Sequence, residues 1–279
     1  MHNPHSPDRY RSLMQRAYAI QKPIALGKLH GVMLGFLKAS DAERVEDADF
    51  LEGELFRFVK IDMSLPWFNA VTLREATEDE VTEISIPEHL LPNLQRLQFV
   101  FNVKRHRLFY ISKDRDVTLG PGTAERFFQQ LFDIVREGRV SFPPITVTAV
   151  PDSDSIDTIL SIHKLKKLRI ELSVPNPDDG EEDEERFRRR LEKQKARKQV
   201  TELYAESGKG LKPDQETISL ARVAAENGFV RGEGNSEEGT KVIENTKNTP
   251  EVKIVKINED AETTMQVLRR YAGELLRRT

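Results

Sequence analysis

Two patterns in this chain carry the letters of known chemistry. Pro213-Asp214 and Glu251-Val252-Lys253 match a PD…ExK metal-dependent nuclease. There the carboxylates hold Mg²⁺ and the lysine stabilises charge at the attacked phosphate. That chemistry needs the aspartate inside one strand and Glu-x-Lys on the next. Here Asp214 is predicted to open a helix, and Glu-x-Lys arises easily by chance in a chain that is 32% charged. His2 and His5 form an HxxH, but zinc takes three or four protein ligands, and no third is predicted nearby. No P-loop fits Gly208-Lys209-Gly210-Leu211, and Gly232-Glu233-Gly234 is a hairpin fragment rather than a dinucleotide loop. There are no cysteines, which removes disulfides, thiolate metal sites and cysteine nucleophiles. The expectation is no catalytic residue, no metal ligand and no cofactor.

Charge is the remaining chemistry. The net charge of −3 conceals a sharp segregation. Residues 178–185 are acidic, and the next thirteen include Arg186, Arg188, Arg189, Arg190, Lys193, Lys195, Arg197 and Lys198. Lys104 and Arg105 stand at a predicted hairpin tip. Smaller basic groups are Lys164/Lys166/Lys167/Arg169 and Arg269/Arg270/Arg277/Arg278. Bases on one helical side can displace counterions from nucleic-acid phosphates. A solvated helix explains the same letters. Glu182–Arg186, Glu184–Arg188 and Glu185–Arg189 are i,i+4 pairs in the favourable order, worth about 0.2–0.5 kcal/mol each. Taken by itself, the segment favours the solvated helix.

The elements that must position these groups follow from periodicity. Ser6 with Pro7 starts a helix. LQFVFNV and RLFYIS flank Lys104-Arg105-His106 as a hairpin. GPGTAERFFQQLFDIVREG reads as an amphipathic helix, capped by Thr123 and ended by Gly138. ITVTAV (145–150), KLRIELSV (167–174), FVRGEGN, TKVIENT and EVKIVKIN read as strands, and Trp67 as a buried anchor. The basic segment belongs to one helix over about 182–206, docked only by its second half, with Leu203 and Tyr204 in its weak apolar stripe. The expected fold is α+β: a mixed or antiparallel sheet with helices on one face in residues 1–176, a charged connecting helix in 177–206, and a smaller α+β domain in 207–279. No apolar run is long enough to span a membrane, and the N-terminal residues lack a secretory pattern. The expected location is the cytoplasm.

HNPHSPDRY, EGELFRFVKID, LPWFN, ISIPEHLLPNL, KRHRLFYIS and KLKKLRIELSVPNPDD resemble segments of an uncharacterised bacterial family known as a domain of unknown function. The layout is also remotely similar to the RexA exclusion protein of phage lambda, in length and element order rather than in a shared motif. That similarity implies non-specific DNA binding, dimerisation and a role in phage exclusion. The expectation is a non-catalytic, largely sequence-independent binder of double-stranded DNA in an anti-phage system, using Lys104, Arg105 and the eight bases from Arg186 to Lys198, and a homodimer. The alternatives are an interaction or sensor module working through a protein partner, and a cryptic metal-dependent nuclease.

Overall fold

The structure is a computed structural model, and it describes residues 6–39, 49–87, 89–137, 145–175, 182–258 and 260–278. His2 and His5 lie outside those residues.

The chain runs α1 (Pro7–Ala19), β1 (Ile24–Leu26), β2 (His30–Ala39), β3 (Phe50–Val59), β4 (Phe68–Asn69), β5 (Arg74–Glu75), α2 (Glu78–Thr82), β6 (Gln95–Asn102) and β7 (Arg107–Tyr110). It continues with β8 (Lys113–Asp114), β9 (Val117–Thr118), α3 (Pro121–Glu137), α4 (Ser155–Leu160), β10 (Lys164–Ser173), α5 (Glu182–Lys193), β11 (Lys198–Tyr204), α6 (Gln215–Glu226), β12 (Gly228–Asn235), β13 (Lys241–Asn245) and α7 (Thr264–Arg278). Every strand pair is antiparallel, so the α+β assignment holds.

The first sheet has the order β1-β2-β3-β6-β7. Alternation along β6 sends Leu97, Phe99 and Phe101 to one face, where Leu13, Met14, Phe127, Phe128 and Leu131 of α1 and α3 complete the core. Ser6 caps α1 as its side chain accepts from the Arg9 N–H, with Pro7 at the first position. Gly53 lies beneath the Phe99 ring, where a Cβ would fall 2.3 Å from Cζ. The opposite face is covered by α7, with Ala272, Met265, Leu268 and Leu276 against Phe50, Val100 and Phe109. Helices therefore sit on both faces of this sheet. The last helix returns to the first sheet instead of closing a domain over 207–279. Arg269 of α7 and Lys38 of β2 clasp buried Glu52 at 3.4 and 3.7 Å.

The second sheet, β11-β10-β12-β13, draws strands from both sides of the expected boundaries. Leu168, Ile170 and Leu172 of β10 pack with Ile159, Phe187, Leu191, Leu220 and Ala224 of α4, α5 and α6. The helix expected over 182–206 is instead helix, turn and strand. Its N-terminal half is docked rather than projecting, because Phe187 is 2% exposed. Two expected strands do not form. Residues 145–150 run beside α3, where Gln129 bonds both Ile145 O (3.0 Å) and Val147 N (2.9 Å), and Glu125 accepts from Ala149 N. Residues 251–258 pair with no sheet. Trp67 is only half-buried, on an arm of residues 60–94 that links β3 to β6.

Candidate nucleic-acid interface

The basic segment sits on α5, and most of its arginines hold carboxylates of the same chain. Arg186 pairs with Asp183 at 3.1 Å, Arg188 with Glu192 at 3.0 Å, and Arg189 with Glu185. Arg190 reaches Glu216 of α6 at 3.3 Å, and Lys198 pairs with Glu171 of β10. Of the three expected i,i+4 pairs only Glu185–Arg189 forms. Glu184 is buried instead and accepts from the Asn227 side chain at 2.8 Å.

Lys193, Lys195 and Arg197 differ. They are exposed and have no acidic partner among the described residues. The turn that carries them is closed by the backbone. Ala196 N–H donates to Leu191 O and Lys195 N–H to Glu192 O, both at 2.9 Å. This is a Schellman motif, with Lys195 left-handed at φ 53° and Ala196 set against the second core. An L-residue in that conformation costs about 1 kcal/mol. Lys195→Gly is therefore expected to raise stability by up to about 1 kcal/mol in urea titration while removing one charge.

Lys104 and Arg105 do lie on a hairpin tip, between β6 and β7. The Asn102 side chain accepts from both backbone N–H groups, at 3.1 and 2.8 Å. The structure does not bring this tip to the Lys193–Arg197 turn. Arg107 beside the tip pairs with Glu226 at the C-terminal end of α6, at 2.6 Å, whereas Arg190 pairs with Glu216 at the N-terminal end. At 1.5 Å per residue those two ends are about 15 Å apart. Elsewhere Arg270 is taken by Glu262 at 2.8 Å.

The nuclease letters do not assemble either. Asp214 caps α6, accepting from Thr217 N–H at 2.8 Å, and hydrogen bonding from the Thr217 side chain and then from that N–H holds its carboxyl below the usual range. Glu251 and Lys253 pair with each other at 3.4 Å outside any strand. Among the described residues no group of three or more His, Cys, Asp or Glu could hold a metal ion.

One charged surface was not anticipated. The four strands of the second sheet turn their helix-free side outward. Register places Lys167, Arg169 and Glu171 there beside Lys198, Val200, Glu202 and Tyr204 of β11, and beside Phe229, Arg231 and Glu233 of β12. Lys241 and Ile243 of β13 extend it, and Lys247 lies over the Phe229 ring at 5.1 Å. Six cations therefore face three strand carboxylates, and Lys247 also pairs with Glu125 of α3 at 3.8 Å. β11 hid this surface, because a segment read as helix has no sheet face. Glu202 is the hub. The Tyr204 hydroxyl donates to it at 2.8 Å and Arg169 at 2.5 Å, and these bonds pull its carboxyl down to about 2. A carboxyl depressed by folding stabilises the fold above its unfolded pKa, and that contribution is lost as pH falls towards the folded value. The difference in thermal midpoint between the wild type and Glu202→Gln should be constant above about pH 4.5 and shrink steadily towards pH 2.

No described helix is long and apolar enough to cross a membrane. No curated protein and no solved structure matches the chain. A family match spans residues 1–273, nearly all of the chain described above, under the description "Domain of unknown function (DUF4747)". Membership of an uncharacterised family, as expected, is thereby shown: the chain belongs to the DUF4747 family.

Proposed function

We propose that the protein is a non-catalytic, largely sequence-independent binder of double-stranded DNA. The observation that carries this reading is the Schellman turn after α5, which presents Lys193, Lys195 and Arg197 to solvent without acidic partners among the described residues. Unpaired cations on an ordered turn displace counterions from phosphates with little ordering cost. Contacts to phosphate fix position and carry no base sequence. Lys104 and Arg105 supply a second contact. Arg186, Arg188, Arg189, Arg190 and Lys198 add positive potential but keep their own carboxylates. The setting we propose is phage exclusion in the cytoplasm, on the layout similarity to RexA.

Fluorescence anisotropy with unrelated duplexes tests this. Log affinity falls with log salt at about 0.9 per neutralised phosphate. Five contacts predict a loss of roughly 500-fold between about 50 and 200 mM salt, equal for every sequence. No binding at the lower salt would sink the reading.

A second reading, action through a protein partner or a second copy, is favoured by the exposed apolar side chains of residues 60–94.

A further inference from the structure

Residues 60–94 leave the first sheet as an arm that is ordered by its own bonds. Thr77 and Glu80 close both bonds of a capping box on α2. The Asn69 side chain donates to Glu80 at 2.5 Å, and Ala76 N–H donates to Trp67 O at 2.7 Å. Yet no described residue of the arm is buried. Phe68, Val71 and Leu73, on and around the β4–β5 hairpin, are 68, 92 and 74% exposed, and Leu65, Leu90 and Leu94 are exposed beside them. A segment this apolar, held in one shape and covering nothing, is an interaction surface.

Its charge selects the occupant. The described residues of the arm carry six carboxylates against Lys60 and Arg74. The open face of the second sheet has the opposite character: six cations against four carboxylates, Glu125 beside Lys247 included, with Val200, Tyr204 and Ile243 exposed among them. We propose that the arm of one copy docks on the open face of the second sheet of another copy, reciprocally, in a two-fold dimer. A two-fold arrangement makes each contact twice. The arm alone exceeds the roughly 20–30 residues a side of a standard interface. This inference rests on the second reading above and is independent of the Lys193–Arg197 turn.

Light scattering on the full chain should give twice the 32.0 kDa chain mass. Phe68→Asp with Val71→Asp should give 32.0 kDa with an unchanged thermal transition, since neither side chain belongs to a core. Lys167→Glu with Arg231→Glu should also give a monomer, and adding Glu78→Lys with Asp79→Lys should restore the dimer. The chain has no native cysteine. Mixing Val71→Cys copies with Tyr204→Cys copies and a short bismaleimide should therefore link unlike copies, whatever the folding of the reversal variants. A monomeric wild type, a dimer that survives the arm variant, or linking only between like copies overturns the proposal. A monomer that carries a different protein on its arm also overturns it, while keeping the second reading. DNA affinity is measured apart, so its loss does not mimic any of these results.

Discussion

Phe187→Ala is expected to destabilise the protein by about 3–5 kcal/mol, the usual cost of truncating a buried phenylalanine. Phe187 enters a core that also holds Leu168, Ile170, Leu191 and Leu220, so the lost ring leaves a cavity under α5. Leu191, 1% exposed, enters the same core one turn on, and the remaining ties of this helix are polar. Asp183 accepts from Ser219, Glu184 from Asn227, and Arg190 meets Glu216. Arg189→Ala, which removes an exposed pair with Glu185, should cost no more than about 0.5 kcal/mol. Urea titration of the two variants side by side reads the contrast. If Phe187→Ala cost under about 1 kcal/mol, α5 would be the solvated helix that its charge pattern suggests, rather than a wall of the second core.

The elements with one strong period were legible in the sequence. The face Ala124, Phe127, Phe128, Leu131 and Val135 identifies α3, and Leu168, Ile170 and Leu172 identify β10. The stop of α5 was not legible, because its left-handed position is a lysine and no glycine marks it. Beyond it, Ala196, Val200, Leu203 and Tyr204 happen to fall at helical spacing, although Val200 and Tyr204 point to solvent from β11. EVKIVKIN has strand residues and yet forms no ladder, since a strand also needs a neighbour with a free edge, which its own letters cannot supply. The return of α7 to the first sheet is a long-range choice of the same kind. At the candidate interface, residue type was legible and partnership was not. The carboxylates of Arg190 and Lys198 come from α6 and β10, and the Lys104–Arg105 tip is held away by a bond between Arg107 and Glu226.

That difference in partnership separates the basic residues by experiment. Lys193→Glu, Lys195→Glu and Arg197→Glu together should weaken duplex binding by on the order of 100-fold at low salt. Each lost phosphate contact is worth about 1 kcal/mol, and about 1.4 kcal/mol is tenfold. The salt slope should fall from about 4.5 to about 1.8, the value left by Lys104 and Arg105 alone. Stability should change little, because none of the three side chains is buried or paired among the described residues. Arg186→Glu, Arg188→Glu and Arg189→Glu together change the formal charge of the same segment by as much, but they free Asp183, Glu185 and Glu192 from their partners. That variant should lose binding through a weaker long-range field alone, with a slope still near 4.5. Equal losses from the two triplets would mean that only the summed charge of the segment matters. A loss confined to the turn would mean that the left-handed lysine and its neighbours are the contact, and that the arginine ladder upstream serves the fold.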